Sequence, residues 1–384
     1  MIKIKYKNVF VFILLLLVCY LFFVTIYSYF NAQVPFDVFG LASNRGTFMF
    51  LLLVFGCIIA SVYGKFSLNR PLLFGMFLVV YMFLRGFTLT NTIAWISIAI
   101  MWWFFIFIFY SIRVDADLFY KICVFLSVFS IILSLLYIVE HHSKPIIYVA
   151  QINCIYYIIA LLPFIERIDK PILSVISIFL LSFATLLSGK TGCFIVIIVY
   201  FIYKIGRVLK ERKKNSFFHL GIISLIVVFG MLLLETYFSG FTLSELFNKH
   251  ISELMTGGNG RNSIYLTIIK QLAQSSIPEL IFGHGYYTVN NIGMGSHNDF
   301  LMMLFDYGII GFSLYICFCV FLIKARRSIE DRRIRQCFVV SLLVFFVLSF
   351  ISNLIYSQMQ MIFICIFWGV SLNRKDTSIQ NASK

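Results

Sequence analysis

Residues 337–370 read CFVVSLLVFFVLSFISNLIYSQMQMIFICIFWGV, a run without one charged side chain. Its only polar interruptions are Ser341, Ser349, Ser352, Asn353, Ser357, Gln358 and Gln360. A membrane-spanning helix needs about 20 mostly apolar residues, so the run holds two crossings, at 337–353 and 355–371. The same reading carried outward gives ten more, near 8–30, 47–63, 71–84, 92–112, 119–139, 146–165, 172–188, 193–206, 217–237 and 298–323. No small-residue cleavage site follows the first span, which is expected to be an anchor rather than a removed signal peptide.

Composition points the same way. Of 384 residues, 61% are hydrophobic and 12% charged, against about 45–50% apolar and about 25% charged in soluble domains. So little charge cannot cover a water-facing surface of this size, which excludes a soluble globular protein. Disorder is excluded too, since disordered chains are apolar-poor and charge-rich. The expected fold class is all-α, a polytopic membrane protein of about twelve transmembrane helices forming one integral membrane domain over 1–384.

With the N-terminus inside, 24 of the 31 basic residues fall on the cytoplasmic side. Arg45, Arg85, Lys144, Lys190, Lys249, Arg261 and Lys270 fall outside. Cytoplasmic loops carry the excess of Lys and Arg, so both termini are expected to be cytoplasmic. The net charge of +15 then reflects orientation signals at 207–214 and 324–335, with contact to anionic lipid and no nucleic acid. The nine cysteines lie in or beside apolar segments without a CxxC pair or Cys/His cluster, a pattern of neither zinc site nor disulfide framework.

One long loop, 238–296, joins spans nine and ten on the outer face. Within it NGRNSIYLTIIKQLAQS (259–275) sets Ile264, Ile268 and Leu272 four apart, with Tyr265 and Ile269 beside them. That spacing predicts an amphipathic helix ending before Pro278. FGHGYYTVNNIGMGSHND (282–299) follows, its four glycines predicting an irregular segment that leads into span ten.

Three outward places set a basic or imidazole group at a helix start: SGKTG (188–192), GGNGR (257–261) and SHND (296–299). Cations normally favour helix C-termini, so Lys190 and Arg261 stand where helix electrostatics would not put them. A bound anion reverses that argument, because free N–H groups and basic side chains suit phosphate. The plainer readings are a lysine snorkelling at the membrane surface, a solvated loop arginine, and for His297 a hydrogen-bonded interfacial histidine. The GKT string lacks the upstream glycine of a P-loop. Asp306 lies one or two turns into span ten, where an unpaired charge is costly and a partner or aqueous cavity is implied. Asp299 precedes it by seven residues on nearly the same face. Arg85 ends span three on the same side, and His284 in the glycine-rich segment is a second acid/base or a turn position.

Taken in order, SGKTG (188–192), Gly260-Arg261, GHG (283–285) and HNDFLMMLFDYGIIG (297–311) form a pattern. It resembles the bacterial O-antigen polymerase (Wzy-type) and O-antigen ligase superfamily of integral membrane glycosyltransferases over about 185–315, with hydropathy alone agreeing before 180. The resemblance implies metal-independent, cofactor-free transfer of an oligosaccharide from undecaprenyl pyrophosphate on the periplasmic face of the inner membrane. By motif, Arg261 and Lys190 would grip the pyrophosphate, with Arg85 added by position. His297 would act at the reacting centre as general base, with Arg261 beside it, and Asn298, Asp299, Asp306 and His284 would support it. Asp306 or Asp299 would orient the imidazole. Lysine at 190, where arginine is usual, keeps the charge but not the bidentate geometry. The implied partners are the lipid-linked oligosaccharide, membrane lipids and, as a family expectation, a chain-length regulator.

The chemistry is coherent by itself. A departing pyrophosphate carries charge that a metal-free site must meet with cations and helix dipoles, and a histidine base suits neutral pH. The leading expectation is a polymerase of lipid-linked repeat units. A ligase acting on lipid A–core and a capsule or exopolysaccharide polymerase share the pattern. A polysaccharide-lipid flippase would share the topology, but transporters keep functional charge near the bilayer midplane, whereas these candidates cluster on one outer face.

Overall fold

The computed structural model describes residues 2–31, 34–38, 40–87, 100–143, 149–211, 248, 252, 261–286, 288–289 and 296–373. Span nine at 217–237, the start of span four, the glycines at 257–260, Gly293 and Gly295 lie outside the described residues. Every regular element among the described residues is helical. The chain divides into two compact units, Met1–Val18 with Asn44–Phe119 and Gly260–Lys384, and Cys19–Ser43 with Tyr120–Asn259.

The first unit contains the start of α1 (Ile2–Phe30), most of α2 (Leu41–Tyr63), α3 (Arg70–Phe87), α4 (Met101–Ile112) and the first turn of α5 (Ala116–Ser143). The second contains the rest of α1 and α5, then α6 (Val149–Asn153), α7 (Ile155–Ile159), α8 (Leu162–Glu166), α9 (Pro171–Leu187) and α10 (Thr191–Glu211). The first unit resumes with α11 (Arg261–Gln274), α12 (Ile277–Phe282), α13 (Asp299–Ala325), α14 (Arg332–Ile351) and α15 (Gln358–Leu372).

Among the described residues six stretches are long and apolar enough to cross a membrane: Tyr6–Phe30, Asn44–Tyr63, Ala116–Ser143, Thr191–Lys210, Asp299–Ser328 and Arg332–Ile351. Met101–Ile112, Gln151–Glu166, Pro171–Leu187 and Met359–Leu372 are apolar but shorter, below the about 20 residues of a straight crossing. The chain is a helical membrane protein.

In the first unit α3 lies along α13, and α15 packs on α4. An aromatic chain fills the space between them: Trp102 to Phe318 at 5.4 Å, Phe318 to Trp368 at 6.2 Å, and Trp368 to Phe345 at 5.1 Å. Buried indoles usually find a partner for N–H: Trp368 donates to Ser341 Oγ and the neighbouring Trp103 to Leu72 O, while Trp102 Nε1 is buried without one. The apolar run at 337–370 is two helices, parted by the non-helical residues 352–357.

In the second unit the described part of the run at 146–165, from Val149 onward, is not one regular helix. Cys154 and Leu161 make i→i−3 bonds to Gln151 and Ile158, and Pro163 in the first turn of α8 has no N–H to continue an α-helical ladder. Glu166 ends this run with its carboxylate buried. It accepts from the Tyr200 hydroxyl at 2.6 Å, Lys204 Nζ at 3.0 Å and Arg207 Nη1 at 2.8 Å. Arg207, in one of the runs that read as orientation signals, is thus also paired inside the fold, together with Lys204, as a buried carboxylate requires.

Candidate functional site

The start of α13 is built by a cap. Asn298 accepts from Phe300 N at 2.9 Å and Leu301 N at 3.1 Å, satisfying two of the helix's open N–H groups. Its amide donates to Phe350 O, and its backbone N–H donates to Asn353 Oδ1. The Ser296 hydroxyl lies 2.9 Å from the same Asn353 oxygen. Between these anchored neighbours His297 takes φ +48, a left-handed conformation that costs about 1–3 kcal/mol at a non-glycine residue. Strain of that kind is held where surroundings over-determine it, and such positions cluster at functional sites.

Arg261 is the first residue of α11, and Arg261, Tyr265, Ile268 and Leu272 follow one helix face. Ile268 on that face is fully buried, and α11 packs on α13. Arg261 therefore lies on the inward face of the amphipathic helix. The Tyr265 hydroxyl donates to His297 O at 3.5 Å and also bonds the Asn298 side chain. Burial pushes the Tyr265 phenol up, while the Arg261 guanidinium and Asn298 oppose the shift. The sequence motifs at 260–261 and 297–298 thus meet through a tyrosine.

A second cluster lies around a break in α13. Gly308, at φ +63 and ψ −167, interrupts the helix. The carbonyls of Phe305 and Asp306, freed from the α-helical ladder, accept from His284 N at 3.0 Å and Gly285 N at 2.8 Å. The Tyr81 hydroxyl reaches the carbonyls of Phe282 and Tyr307, both at 3.2 Å. Arg85 Nη2 donates to Gly283 O at 2.7 Å. Both glycines are required by contact as well as by φ. A Cβ on Gly283 would stand 2.3 Å from Asp306 O, and one on Gly308 would stand 2.5 Å from Gly283 N.

Asp306 is fully buried. Its Oδ1 accepts from the Thr288 hydroxyl at 3.0 Å and Val289 N at 2.9 Å, and its Oδ2 from the Tyr356 hydroxyl at 2.7 Å. Asp299, also fully buried, accepts from Ile355 N at 3.2 Å, and its remaining partners are the Ser349 hydroxyl and Leu354 N. Both carboxyls fasten the 352–357 turn. His284 stacks on Phe305 with ring centroids 4.3 Å apart, its Nε2 lies 2.8 Å from Ser275 Oγ, and its Nδ1 lies 3.7 Å from Glu279 Oε1. Glu279 closes a capping box with Ser276 at the start of α12.

Lys190 belongs to the second unit. It immediately precedes α10, and its backbone N–H donates to Ser188 Oγ at 3.1 Å after Gly189 turns at φ +64. Tyr81, Thr288, Asn353 and Tyr356 complete these clusters and were not singled out by sequence. Asn353 showed only as a polar interruption of an apolar run, and Tyr81 carried no signal of its own. Among the described residues no group of three or more His, Cys, Asp and Glu side chains is placed to hold a metal. A cavity of about 560 Å³ lined by Phe50, Leu53, Cys57, Met101 and Phe104 among others is apolar and contains none of the candidate residues.

By fold and by these clusters the chain is a multi-pass helical membrane protein with a polar site at the N-terminal end of α13. No protein-family model matches it, and no curated protein is similar to it.

Proposed function

We propose that this protein is a surface-polysaccharide polymerase of the O-antigen type, joining undecaprenyl-pyrophosphate-linked repeat units on the periplasmic face of the bacterial inner membrane. The topology proposed with it has twelve spans, both termini cytoplasmic and the 238–296 loop on the periplasmic side. One observation carries the reading: Arg261 and His297, each at a helix start, are joined through Tyr265. A cation and two helix N-termini favour a pyrophosphate, and the histidine whose carbonyl Tyr265 holds brings a group suited to proton transfer to the same segment.

In the proposed step the acceptor sugar hydroxyl gives its proton to His297 as its oxygen attacks the donor's anomeric carbon. The bond from that carbon to the pyrophosphate oxygen breaks, and Arg261 meets the charge that leaves with the lipid. Arg85 enters as a positioning residue, since its guanidinium holds the Gly283 carbonyl. The part that the resemblance gives Lys190 is tested by its own variant, Lys190→Ala.

The broken helix bears on the flippase alternative. Transporters leave half-helix ends open to a substrate or ion at the midplane. Here the carbonyls of Phe305, Asp306 and Tyr307 are met by His284, Gly285 and Tyr81, an arrangement that suits a fixed scaffold. The test is the gel pattern of surface polysaccharide from cells lacking the gene. Core bearing a single repeat unit is the expected result. Bare core with polymer stranded on its lipid carrier would make the protein a ligase, and an unchanged ladder would overturn both readings.

A further inference from the structure

One side of α12 is apolar and open: Ile277 is 73% exposed, with Ile281 and Phe282 open beside it, while the half-exposed Glu279 on the other side turns to Ser276 and His284. On α11 a second apolar stripe, Leu266, Ile269 and Ala273, is exposed next to the polar strip of Thr267, Lys270 and Gln274. A water-surrounded loop helix has no reason to present two such stripes outward, since exposed apolar surface gains nothing from water. Neither stripe continues the buried face through Ile268.

The neighbours of α12 say what covers it. α12 packs on α13, a spanning helix, with Ile281 O within 2.5 Å of where a Gly308 Cβ would stand. Ile309, the next residue of α13, is 54% exposed, so the open face of α12 is continuous with the outer surface of a membrane helix. Depth follows from the helix itself. Arg70 and Lys324 both rest on the Phe321 ring, at 6.0 Å and 5.6 Å, and mark one water-facing edge of the α3–α13 pair. Gly308 stands sixteen residues before Lys324, about 24 Å along the helix at about 1.5 Å per residue. The hydrocarbon layer is about 30 Å thick, so the break and the Gly283 turn against it lie about 6 Å inside the opposite edge, and deeper if the helix tilts. Irregular backbone at such depth must be satisfied by protein. It is, through His284 N, Gly285 N, Tyr81 and Arg85.

We infer that α12 and the turn at Gly283 are embedded in the bilayer leaflet at the N-terminal end of α13, with α11 lying along its surface, and that the occupant of their open apolar faces is lipid acyl chain. The segment is a re-entrant membrane element rather than a free external loop. The inference goes beyond the polymerase reading and does not depend on it. A lipid-borne ligand would reach Arg261 without leaving the leaflet.

The full-length protein, purified and reconstituted in vesicles of phosphatidylethanolamine and phosphatidylglycerol, tests this. Lys270→Cys and Ile281→Cys are treated with a membrane-impermeant maleimide, and labelling above the wild-type background is followed. Lys270→Cys is expected to label at least tenfold faster than Ile281→Cys, with equal labelling after unfolding in detergent. Equal rates in the vesicles would overturn the inference. Ile281→Trp gives an independent reading: brominated acyl chains should quench its added fluorescence. Slow labelling without quenching would mean that another protein surface covers the face, and would also overturn it. Neither readout involves sugar transfer, so failure here leaves the polymerase reading standing.

Discussion

At position 297 the backbone conformation and the proposed chemistry separate cleanly. His297 is held at φ +48 by Ser296 and Asn298, both tied to Asn353. Replacing it with alanine is expected to abolish transfer while protein levels stay normal, and near-wild-type activity would remove His297 as the base. Glycine at the same position relieves the left-handed penalty, so His297→Gly should be more stable than His297→Ala by about 1 kcal/mol and equally inactive, measured by thermal unfolding beside activity. Arg261→Ala should lower turnover by about 10²–10³-fold, the usual cost of removing one preorganised donor from a developing negative charge. Arg261→Lys should recover part of it, since charge survives and the fork geometry does not. His297 and Arg261 were legible in sequence because each is a polar group at a helix start. Tyr265 was not, because it reads as one more member of an apolar stripe and its hydroxyl partner lies beyond the helix. The partners of Asp306 were equally hidden: a carboxylate in a span signals that partners exist, but only the fold brings Thr288 and Tyr356 to it.

At the scale of the element, two glycines far apart in sequence form one joint. Gly283→Ala or Gly308→Ala would press a methyl onto backbone at 2.3–2.5 Å in a left-handed conformation. Each should cost about 3 kcal/mol or more, read as a lowered midpoint of thermal unfolding in detergent. Gly206→Ala is the control, because its Cβ meets nothing within 4 Å and helical alanine should gain about 0.5–1 kcal/mol. Span ten read as an unbroken helix, and GHG read as an irregular segment. Each half was legible alone, while their pairing was not, since the bonds joining them are tertiary.

For the molecule as a whole, composition alone gave the class, because so little charge leaves no alternative to a membrane. Hydropathy reads as twelve crossings, and six helices among the described residues are long and apolar enough for one. Helices such as Pro171–Leu187 and Met359–Leu372 are shorter than the about 20 residues of a straight crossing, and apolar sequence does not reveal where a helix tightens or stops. The 146–165 run shows why: its breaks follow from Pro163 and from i→i−3 bonding, neither of which hydropathy registers. The central claim is that this chain alone transfers lipid-linked sugar, and reconstitution tests it most directly. The purified protein would be given a lipid-pyrophosphate-linked repeat unit with a metal chelator present, and the products resolved on a gel. A ladder of oligomers that disappears in His297→Ala is the predicted result. Unchanged repeat unit with the wild-type protein, in vesicles where the chain is folded, would contradict it.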